Sequence, residues 1–426
     1  MTRTRSLAVA TWALFVGLAL VIAGVGLFGT VIGIRSEQNG YANWVIGVIG
    51  AAYYAGFLLG SRITLSAMTN VGHIRVFAAF SSLLGATMIM AGLNDSAPTW
   101  IVARLLTGVF SAGLYVVAES WLNGLASNET RGRLLAIYLV VTGGSYGVGQ
   151  LMVGTVGTQK LTAFAVAAML AGASVAPIAL SEAAQAPAPD TQTKLSLRRL
   201  AEMAPTGMGA GVLVGLTHGA FLTMAVVYAT REGLTAAGAG RFAAVTAVGG
   251  VVLQWPLSAA SDQLDRRYVG AVTSIAAMGG CFYLLVAGPD GWHGLAAMAI
   301  IGGLSLPLYS IAAAYMSDWV EPEYMSAASS QMVMLYGVGA LAGPMVVGIG
   351  MNSMGADAYP WTLLVMHGLI AVFLIYRLFA WREPLAKTPF SDATLSARAF
   401  FIPANVVWMG RHQLRRTRRR IHRHRS

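Results

Sequence analysis

Residues 99–122 read TWIVARLLTGVFSAGLYVVAESWL. Only Arg104 and Glu119 carry a charge in this stretch, and most of the other residues are apolar or small. About 20 predominantly apolar residues form a helix long enough to cross the hydrocarbon core of a bilayer. The stretch therefore predicts a membrane-spanning helix that carries Arg104 within the span and Glu119 near its far end.

Comparable stretches cover nearly the whole chain of 426 residues, of which 56% are hydrophobic and 11% are Asp, Glu, Lys or Arg. Soluble chains have about 25% of such charged residues, so this composition excludes a soluble enzyme and a disordered protein. We expect an all-α membrane protein with twelve transmembrane helices. The predicted spans are residues 9–31, 42–61, 76–93, 99–122, 134–155, 161–181, 208–229, 241–260, 269–287, 294–317, 328–350 and 359–380.

A single cysteine, Cys281, excludes an internal disulfide. It lies in an apolar run without the spacing of a metal-binding motif, so we expect a buried, inert thiol. The sequence offers no metal-ligand cluster, no phosphate-binding loop and no nucleophile paired with a base. We therefore expect no enzymatic activity, no cofactor and no metal ion.

The distribution of Lys and Arg among the short loops predicts the orientation. Both termini fall on the side with more basic residues, so we expect both in the cytoplasm. We expect the membrane to be a bacterial inner membrane. One loop on that side is acidic instead and contains Asp318, Glu321 and Glu323. The basic residues of the cytoplasmic loops are Arg62, Arg75, Arg131, Arg133, Lys194, Arg198, Arg199, Arg266 and Arg267, against Arg35, Lys160, Arg231 and Arg241 on the opposite side.

A long polar connection divides the spans into six and six. We expect an N-terminal bundle (1–181), a cytoplasmic linker (182–206), a C-terminal bundle (207–380) and a basic tail (381–426). An alignment of the chain with itself at an offset of 194 residues supports a repeat. The offset matches Gly108 with Gly302, Ser111 with Ser305, Tyr115 with Tyr309, and Gly149 with Gly343. Two repeated halves are typical of secondary transporters.

Four segments resemble motifs of the major facilitator superfamily of transporters. They are the Arg104–Gly108 segment of span four, the loop 261–267, the weaker copy of that loop at 69–75, and the glycine-rich residues 339–348. The resemblance covers about residues 7–380 and implies two six-helix bundles related by a pseudo-two-fold repeat. Residues 119–138 are similar to a bacterial branch whose substrates are largely unassigned. The glycine-rich pattern has a second interpretation as helix packing, because small residues four apart let helices approach closely.

An arginine inside a membrane costs about 2.5–3.5 kcal/mol on insertion scales, so it normally faces a cavity or a partner. Arg104 is predicted either to attract an anionic substrate or to snorkel to the membrane surface. His218 is predicted either to pack by hydrogen bonding or to carry a coupling proton, while His367 lies in the peripheral span twelve. The candidate substrate-binding residues are Arg104, Ser111, Tyr115, Gln150, His218, Gln254, Tyr309 and Gln331.

The resemblance implies that the two loops form a cytoplasmic gate. In the second loop, Asp262 would cap a neighbouring helix and pair with arginines. In the first loop, Thr69 stands where the family has this carboxylate, so Glu119 is a candidate to pair with Arg62 or Arg75. The alternative is a solvated loop that is basic only for orientation. The candidate gating residues are Arg62, Gly72, Arg75, Glu119, Asp262, Arg266 and Arg267.

The tail from Trp381 to Ser426 has a net charge of +9. Basic residues beside an anionic leaflet favour membrane binding, so we expect anionic lipid as its partner rather than nucleic acid. Altogether we expect a monomeric secondary transporter that moves a small organic solute, anionic or zwitterionic, by rocker-switch alternating access, with a proton or ion as candidate coupling partner. The alternative is a non-transporting sensor, scaffold or lipid-handling protein of the same fold that acts through its tail.

Overall fold

The computed structural model describes residues 2–125, 131–159, 161–181 and 195–380, and all regular structure within these ranges is helical. One short 3₁₀ turn, Pro322–Tyr324, accompanies the α-helices. The helices are α1 (Thr2–Gln38), α2 (Asn43–Val71), α3 (His73–Leu93), α4 (Ala97–Leu125), α5 (Arg131–Val156), α6 (Thr162–Ala173), α7 (Val175–Ala179), α8 (Leu197–Met203), α9 (Pro205–Arg231), α10 (Ala236–Gln263), α11 (Arg266–Ala287), α12 (Gly291–Ser305), α13 (Pro307–Trp319), α14 (Met325–Met354) and α15 (Ala358–Ala380).

Each predicted span coincides with a helix or a pair of consecutive helices. The sixth span consists of α6 and α7, and the tenth consists of α12 and α13, which are separated where Pro307 removes a backbone donor. Among the described residues, eleven of the twelve predicted spans are long and apolar enough to cross a membrane. The remaining predicted span is the helix α5. The chain is a multi-pass membrane protein.

Several helices extend beyond the predicted spans, because the prediction followed the apolar run and the helical backbone continues into polar residues. The first span was expected to end at residue 31, whereas α1 continues to Gln38 and includes Arg35 and Glu37. The linker contains a short helix, α8, that the sequence analysis did not predict. Ser196 caps it by accepting a hydrogen bond from the backbone N–H of Arg199.

The two halves use the same helix pairing. In the N-terminal half (α1–α7), α1 packs against α5, α2 against α4, and α3 against α6. In the C-terminal half (α9–α15), α9 packs against α14, α10 against α12, and α11 against α15. The fold is therefore two six-helix bundles related by an internal repeat.

Close backbone approaches confirm that repeat at the residues that the offset of 194 matched. A Cβ atom added to Gly108 would lie 2.0 Å from the carbonyl oxygen of Tyr53, and one added to Gly302 would lie 2.4 Å from that of Thr246. A Cβ atom added to Gly149 would lie 2.1 Å from the carbonyl oxygen of Ala23, and one added to Gly343 would lie 2.2 Å from that of Leu216. Only glycine permits such contacts between helices.

The halves meet where α2 packs against α14, α5 against α10, and α1 against α9. We name the two ends of the assembly after residues that lie there. At the Glu37 end, α1 and α9 end and α2 and α10 begin. At the Arg266 end, α2 and α10 end and α11 begins.

Candidate functional site

A small cavity lies between the halves, with a volume of about 30 Å³. That volume holds a water molecule or two and no organic solute, so the cavity must widen to bind one. Four helices of the N-terminal half contribute to its wall, and α9 contributes from the C-terminal half. The lining residues are Val25, Gly29, Thr30, Tyr53, Tyr54, Arg104, Tyr146, Gln150, Leu222, Thr223 and Val226.

Arg104 is the charged group of this cavity. Its side chain is 7% exposed, and its guanidinium carbon lies 4.6 Å from the centre of the Tyr53 ring, which is the geometry of a cation–π contact. The close approach of α2 at Gly108 brings Tyr53 beside Arg104, one turn away on α4. No carboxylate in the described part of the chain forms an ion pair with Arg104. Its position inside the bundle differs from that of an arginine that snorkels to the membrane surface.

Gln150 is the second predicted residue that lines the cavity, together with Tyr146 one turn earlier on α5. On the opposite wall, Thr223 of α9 is close enough to hydrogen-bond to Tyr54 of α2, so a polar contact crosses between the halves. Sequence reasoning missed Tyr146 and Thr223. The spacing of Tyr146 and Gln150, i and i+4 on one helix face, was the signal available for Tyr146.

His218 lies outside the cavity lining, fully buried inside the C-terminal half. Its Nε2 atom lies 2.9 Å from the carbonyl oxygen of Ser305, which only accepts, so Nε2 carries the proton. Its Nδ1 atom then accepts from the Tyr336 hydroxyl at 3.2 Å. Tyr336 packs edge-on against Tyr309, at 4.9 Å between ring centres.

His367 joins the same network from α15. Its Nδ1 atom donates to the carbonyl oxygen of Leu363 at 2.7 Å, and its Nε2 atom accepts from the Ser305 hydroxyl at 3.0 Å. In their neutral form, both histidines thus have both ring nitrogens hydrogen-bonded. This arrangement corresponds to the packing interpretation of His218.

The other four predicted binding residues also lie away from the cavity lining. Tyr115 packs against Phe57 at 6.1 Å between ring centres, and Ser111, one turn before it on α4, is buried. Gln254 donates to Ser258 on its own helix at 2.8 Å. Gln331 donates to the carbonyl oxygen of Leu195, which places it against the linker at the Arg266 end.

The second loop holds a buried charge network. Arg266 is 5% exposed and contacts two carboxylates, Asp262 of α10 at 2.9 Å and Asp318 of α13 at 2.7 Å. Arg267 pairs with Asp265 at 2.8 Å and donates to the carbonyl oxygen of Arg377 on α15 at 3.0 Å. These contacts bind α10, α11, α13 and α15 to one another within the C-terminal half.

The structure explains why one loop on the otherwise basic side of the membrane is acidic. Asp318 neutralises Arg266, and Glu321 lies 3.8 Å from Arg199 of α8. Arg199 also lies over the ring of Tyr324 at 4.5 Å. The acidic residues of this loop therefore anchor the second loop and the linker helix to the C-terminal half.

The first loop contains no matching network among its described residues. Gly72 joins α2 to α3 with a φ of +83°, a conformation that favours glycine, and His73 hydrogen-bonds Ser120 at 2.9 Å. Arg62 and Arg75 are both exposed, and Arg62 contacts the sulfur of Met334 in the other half at 3.2 Å.

The hypothesis that Glu119 pairs with Arg62 or Arg75 stays a prediction, and no ion pair among the described residues joins Glu119 to either arginine. Glu119 is buried on α4 and accepts a hydrogen bond from Tyr138 of α5 at 3.3 Å.

The cavity is closed towards the Glu37 end. A Cβ atom added to Gly33 of α1 would lie 3.6 Å from Val226 of α9, and beyond this contact Glu37 pairs with Arg231 at 3.7 Å. The α5–α10 contact is close at that end, where a Cβ atom on Gly240 would lie 2.5 Å from the carbonyl oxygen of Gln150. Further along α5, a Cβ atom on Gly144 would meet no neighbouring atom within 4 Å.

The expected lipid contact of the tail concerns residues 381–426, which lie outside the described residues. The expected absence of a metal site concerns the whole chain. Within the described ranges, no three His, Cys, Asp or Glu side chains group as metal ligands. Cys281 is fully buried.

A family model described as Major Facilitator Superfamily matches residues 14–303 and, in a second alignment, 207–420. The chain is 27% identical over 334 residues to an Escherichia coli K12 protein named "Uncharacterized MFS-type transporter YcaD", an alignment that covers 77% of this chain and 85% of that relative. Among solved structures, the nucleoside transporter NupG superposes with a TM-score of 0.68 at 12% identity, over 88% of this chain and all of NupG. A bacterial homologue of the human lysosomal transporter Spinster, inward-facing and unoccupied, superposes with a TM-score of 0.66 at 14% identity, over 87% and 95% of the two chains. At these identities the two superpositions show a shared fold.

Proposed function

This chain belongs to the major facilitator superfamily, a family of transporters, and from that premise we propose that it is a secondary transporter of a small organic anion or zwitterion. The cavity between the halves is the proposed binding site, and Arg104 is the proposed contact for the negatively charged group of the solute. Gln150, Tyr146 and Thr223 supply hydrogen bonds around that contact.

The proposal rests on the position of Arg104. Burying a cation away from water is costly unless an anion or well-placed dipoles compensate it. Tyrosine rings and hydroxyls provide part of that compensation in the cavity, and no carboxylate of the described chain provides the rest. An anionic group on the solute would supply the missing charge.

Alternating access follows from the way the halves meet. We propose that the bundles 1–181 and 207–380 rock against each other about the cavity, with residues 182–206 as the connection between them. The contacts of α1 with α9 would separate to open the Glu37 end, and α5 and α10 would approach each other to close the Arg266 end. The halves are suited to move as units because their own charge networks, such as that of Arg266, lie within one half.

The orientation remains the one that the basic loops predict. We propose a bacterial inner-membrane protein, acting as a monomer, with both termini and the Arg266 end in the cytoplasm and the Glu37 end outside. The basic tail would then lie at the anionic cytoplasmic leaflet.

A ligand screen tests the role of Arg104. Thermal unfolding of the purified full chain in detergent is followed with a library of small metabolites for three proteins: wild type, Arg104→Gln and Arg241→Gln. Arg241 is an exposed arginine that bonds a carbonyl of its own helix, so its replacement is the matched control for loss of a positive charge. A ligand at 100 times its Kd stabilises the folded state by about 2.7 kcal/mol.

We expect anionic or zwitterionic compounds to stabilise wild type and Arg241→Gln, and to lose at least tenfold in affinity for Arg104→Gln. The hits are then tested for flux into proteoliposomes. Equal stabilisation of all three proteins would refute the binding role of Arg104. Ligands that bind but are not carried across the liposome membrane would refute transport and favour a sensor of the same fold.

A further inference from the structure

The two halves meet along two edges that the internal repeat makes equivalent, α2 against α14 and α5 against α10. At the Glu37 end both edges are packed. A Cβ atom added to Gly348 would lie 2.4 Å from the carbonyl oxygen of Asn43, and one added to Gly154 would lie 3.1 Å from the Cβ atom of Ala237. Each edge can be followed from these contacts towards the Arg266 end.

The α5–α10 edge widens from layer to layer. The next layer lies seven residues, about two helical turns, further on. There a Cβ atom added to Gly147 would lie 3.9 Å from the carbonyl oxygen of Ala244. Another seven residues bring Val140 of α5 and Val251 of α10 onto the same two helix faces. Their side chains are 62% and 57% exposed, so the two helices part towards the Arg266 end.

The equivalent layer of the α2–α14 edge stays closed. The offset of 194 residues matches Val251 with Phe57 of α2, and Val140 with Met334 of α14. Phe57 is only 6% exposed, and the sulfur of Met334 contacts Arg62 of α2 at 3.2 Å. The halves therefore separate along one edge and remain joined along the other.

The separated part of the α5–α10 edge is apolar and lies at membrane depth. Val251 precedes the end of α10 by twelve residues, which is about 18 Å along the helix axis. This distance places it near the middle of a hydrocarbon core about 30 Å thick. Trp255, one turn nearer to the Arg266 end, is 74% exposed, and on α5 a Cβ atom added to Gly144 would meet no neighbour within 4 Å. We call Val140, Gly144, Val251 and Trp255 the side opening.

The side opening adjoins the cavity of Arg104 through α5. Tyr146 and Gln150 line the cavity, and Gly147, which follows Tyr146, belongs to the edge with α10. The cavity wall itself combines the guanidinium group of Arg104 with apolar side chains such as that of Leu222. A solute that fits both regions has one anionic group and one hydrocarbon part.

We propose that the side opening admits an anionic amphiphile with a single hydrocarbon chain from the half of the bilayer on the Arg266 side. Its anionic group contacts Arg104, and its chain lies between α5 and α10 against Val251 and Trp255. The chain stays in apolar surroundings throughout, because the side opening faces lipid. The proposed transport through the Arg104 cavity is the premise, and the side opening adds the class of solute and its route of entry.

Photolabelling of the purified full chain in lipid nanodiscs tests this route. The probe is hexadecanesulfonate with a diazirine in its chain, and mass spectrometry locates the labelled residues. Labelling at Val251 should exceed labelling at the equivalent Phe57 about tenfold, following their exposed fractions of 57% and 6%. Equal labelling of the two edges would overturn the side opening.

Competition separates a bound amphiphile from lipid that merely fills the gap. Unlabelled hexadecanesulfonate should abolish the labelling at Val251, whereas hexadecanol, which has the same chain without the charge, should not. Arg104→Gln should weaken the competition by the sulfonate about tenfold, the loss expected for one charged contact, and Arg241→Gln should leave it unchanged. Equal competition by hexadecanol, or competition that Arg104→Gln does not weaken, would overturn the anionic amphiphile as the occupant.

A bulky side chain in the side opening gives an independent test. Val251→Trp should reduce the labelling of α5 at Gly144 about threefold, because the indole ring takes the space of the chain. Val272→Trp, at a position of α11 that is 47% exposed, is the matched control and should leave this labelling unchanged. Val140→Phe narrows the side opening from α5 and replaces the first variant if that does not fold. Unaltered labelling in the narrowed variant would contradict the route.

Flux measurements keep the two proposals apart. Hexadecanesulfonate that binds at the side opening but is not carried across a liposome membrane would refute transport and leave the side opening as a binding site. Water-soluble anions that are carried, without any saturable labelling by the sulfonate, would support the transporter and overturn the side opening.

Discussion

The centres of the two halves differ although their backbones pack alike. In the N-terminal half, Arg104 carries a charge into the cavity and meets tyrosines. In the C-terminal half, Ser305 and neighbouring groups hydrogen-bond all four ring nitrogens of His218 and His367. The N-terminal half therefore presents an incompletely compensated charge to the cavity. The C-terminal half encloses a completed hydrogen-bond network.

This difference teaches how to separate functional from structural polar residues inside a membrane. A buried polar group whose hydrogen bonds are complete stabilises one packing arrangement, and removing it leaves its partners unsatisfied. A buried charge that faces a cavity costs stability and is retained for binding. Replacing the first kind should lower the unfolding free energy clearly, whereas replacing the second kind should change it little.

The largest effect is expected at the Arg266 network. Arg266→Gln leaves Asp262 and Asp318 without their shared cation, which for a buried pair costs about 3–5 kcal/mol of unfolding free energy. Thermal unfolding in detergent measures the loss. Arg62→Gln, on α2 before the equivalent loop of the other half, removes an exposed side chain and should change stability by less than about 0.5 kcal/mol. Similar losses in both variants would contradict the contrast between the loops.

The next effect concerns the histidine network. His218→Ala removes a fully buried ring and leaves the Ser305 carbonyl and the Tyr336 hydroxyl without their partner, so we expect a loss of about 2–4 kcal/mol. Ligand affinity at the Arg104 cavity should change less than threefold in the protein that remains folded. Unaltered stability together with abolished ligand binding would instead place His218 in the binding site.

Arg104→Gln provides the opposite case. The variant loses the cation–π contact with Tyr53 but no longer buries a charge, so unfolding in the absence of ligand should change by no more than about 1 kcal/mol in either direction. The same thermal assay measures it. A loss as large as that of His218→Ala would make Arg104 a structural residue, and the distinction drawn between the halves would fail.

The smallest effect is expected from Gly29→Ala. The added methyl group would lie 3.5 Å from Arg104 Nη1 and 3.7 Å from the Tyr146 hydroxyl, which fills the cavity without a clash. Unliganded stability should rise by up to about 1 kcal/mol, because alanine favours the helix, while ligand affinity should fall about three- to tenfold. Gly144→Ala, where the added atom meets no neighbour, should give the stability gain without the loss of affinity. Equal affinities in the two variants would place the ligand away from Gly29.

Much of the fold could be predicted because membrane spans depend on local composition. Apolar length located each span, and the offset of 194 residues matched glycines that do occupy equivalent helix contacts, such as Gly108 and Gly302. The helix ends were less predictable, because α1 continues through Arg35 to Gln38 once other helices surround it.

The site was predicted only in part. Arg104 and Gln150 stood out as polar residues at membrane depth, and both line the cavity. Thr223 did not stand out, because a single threonine in an apolar helix carries no signal of its own. Its place in the wall depends on the packing of α9 against the other half.

The sequence by itself determined that the chain crosses the membrane twelve times in two related halves, because the cost of placing polar groups in lipid acts on each segment separately. Tertiary structure alone decided which polar groups are satisfied. It paired Arg266 with Asp318, brought His218 and His367 into hydrogen-bond contact with Ser305, and left Arg104 facing a cavity. The physical reason is that hydrogen bonds and ion pairs between helices depend on distances of a few ångströms, which only the packing of the whole assembly sets.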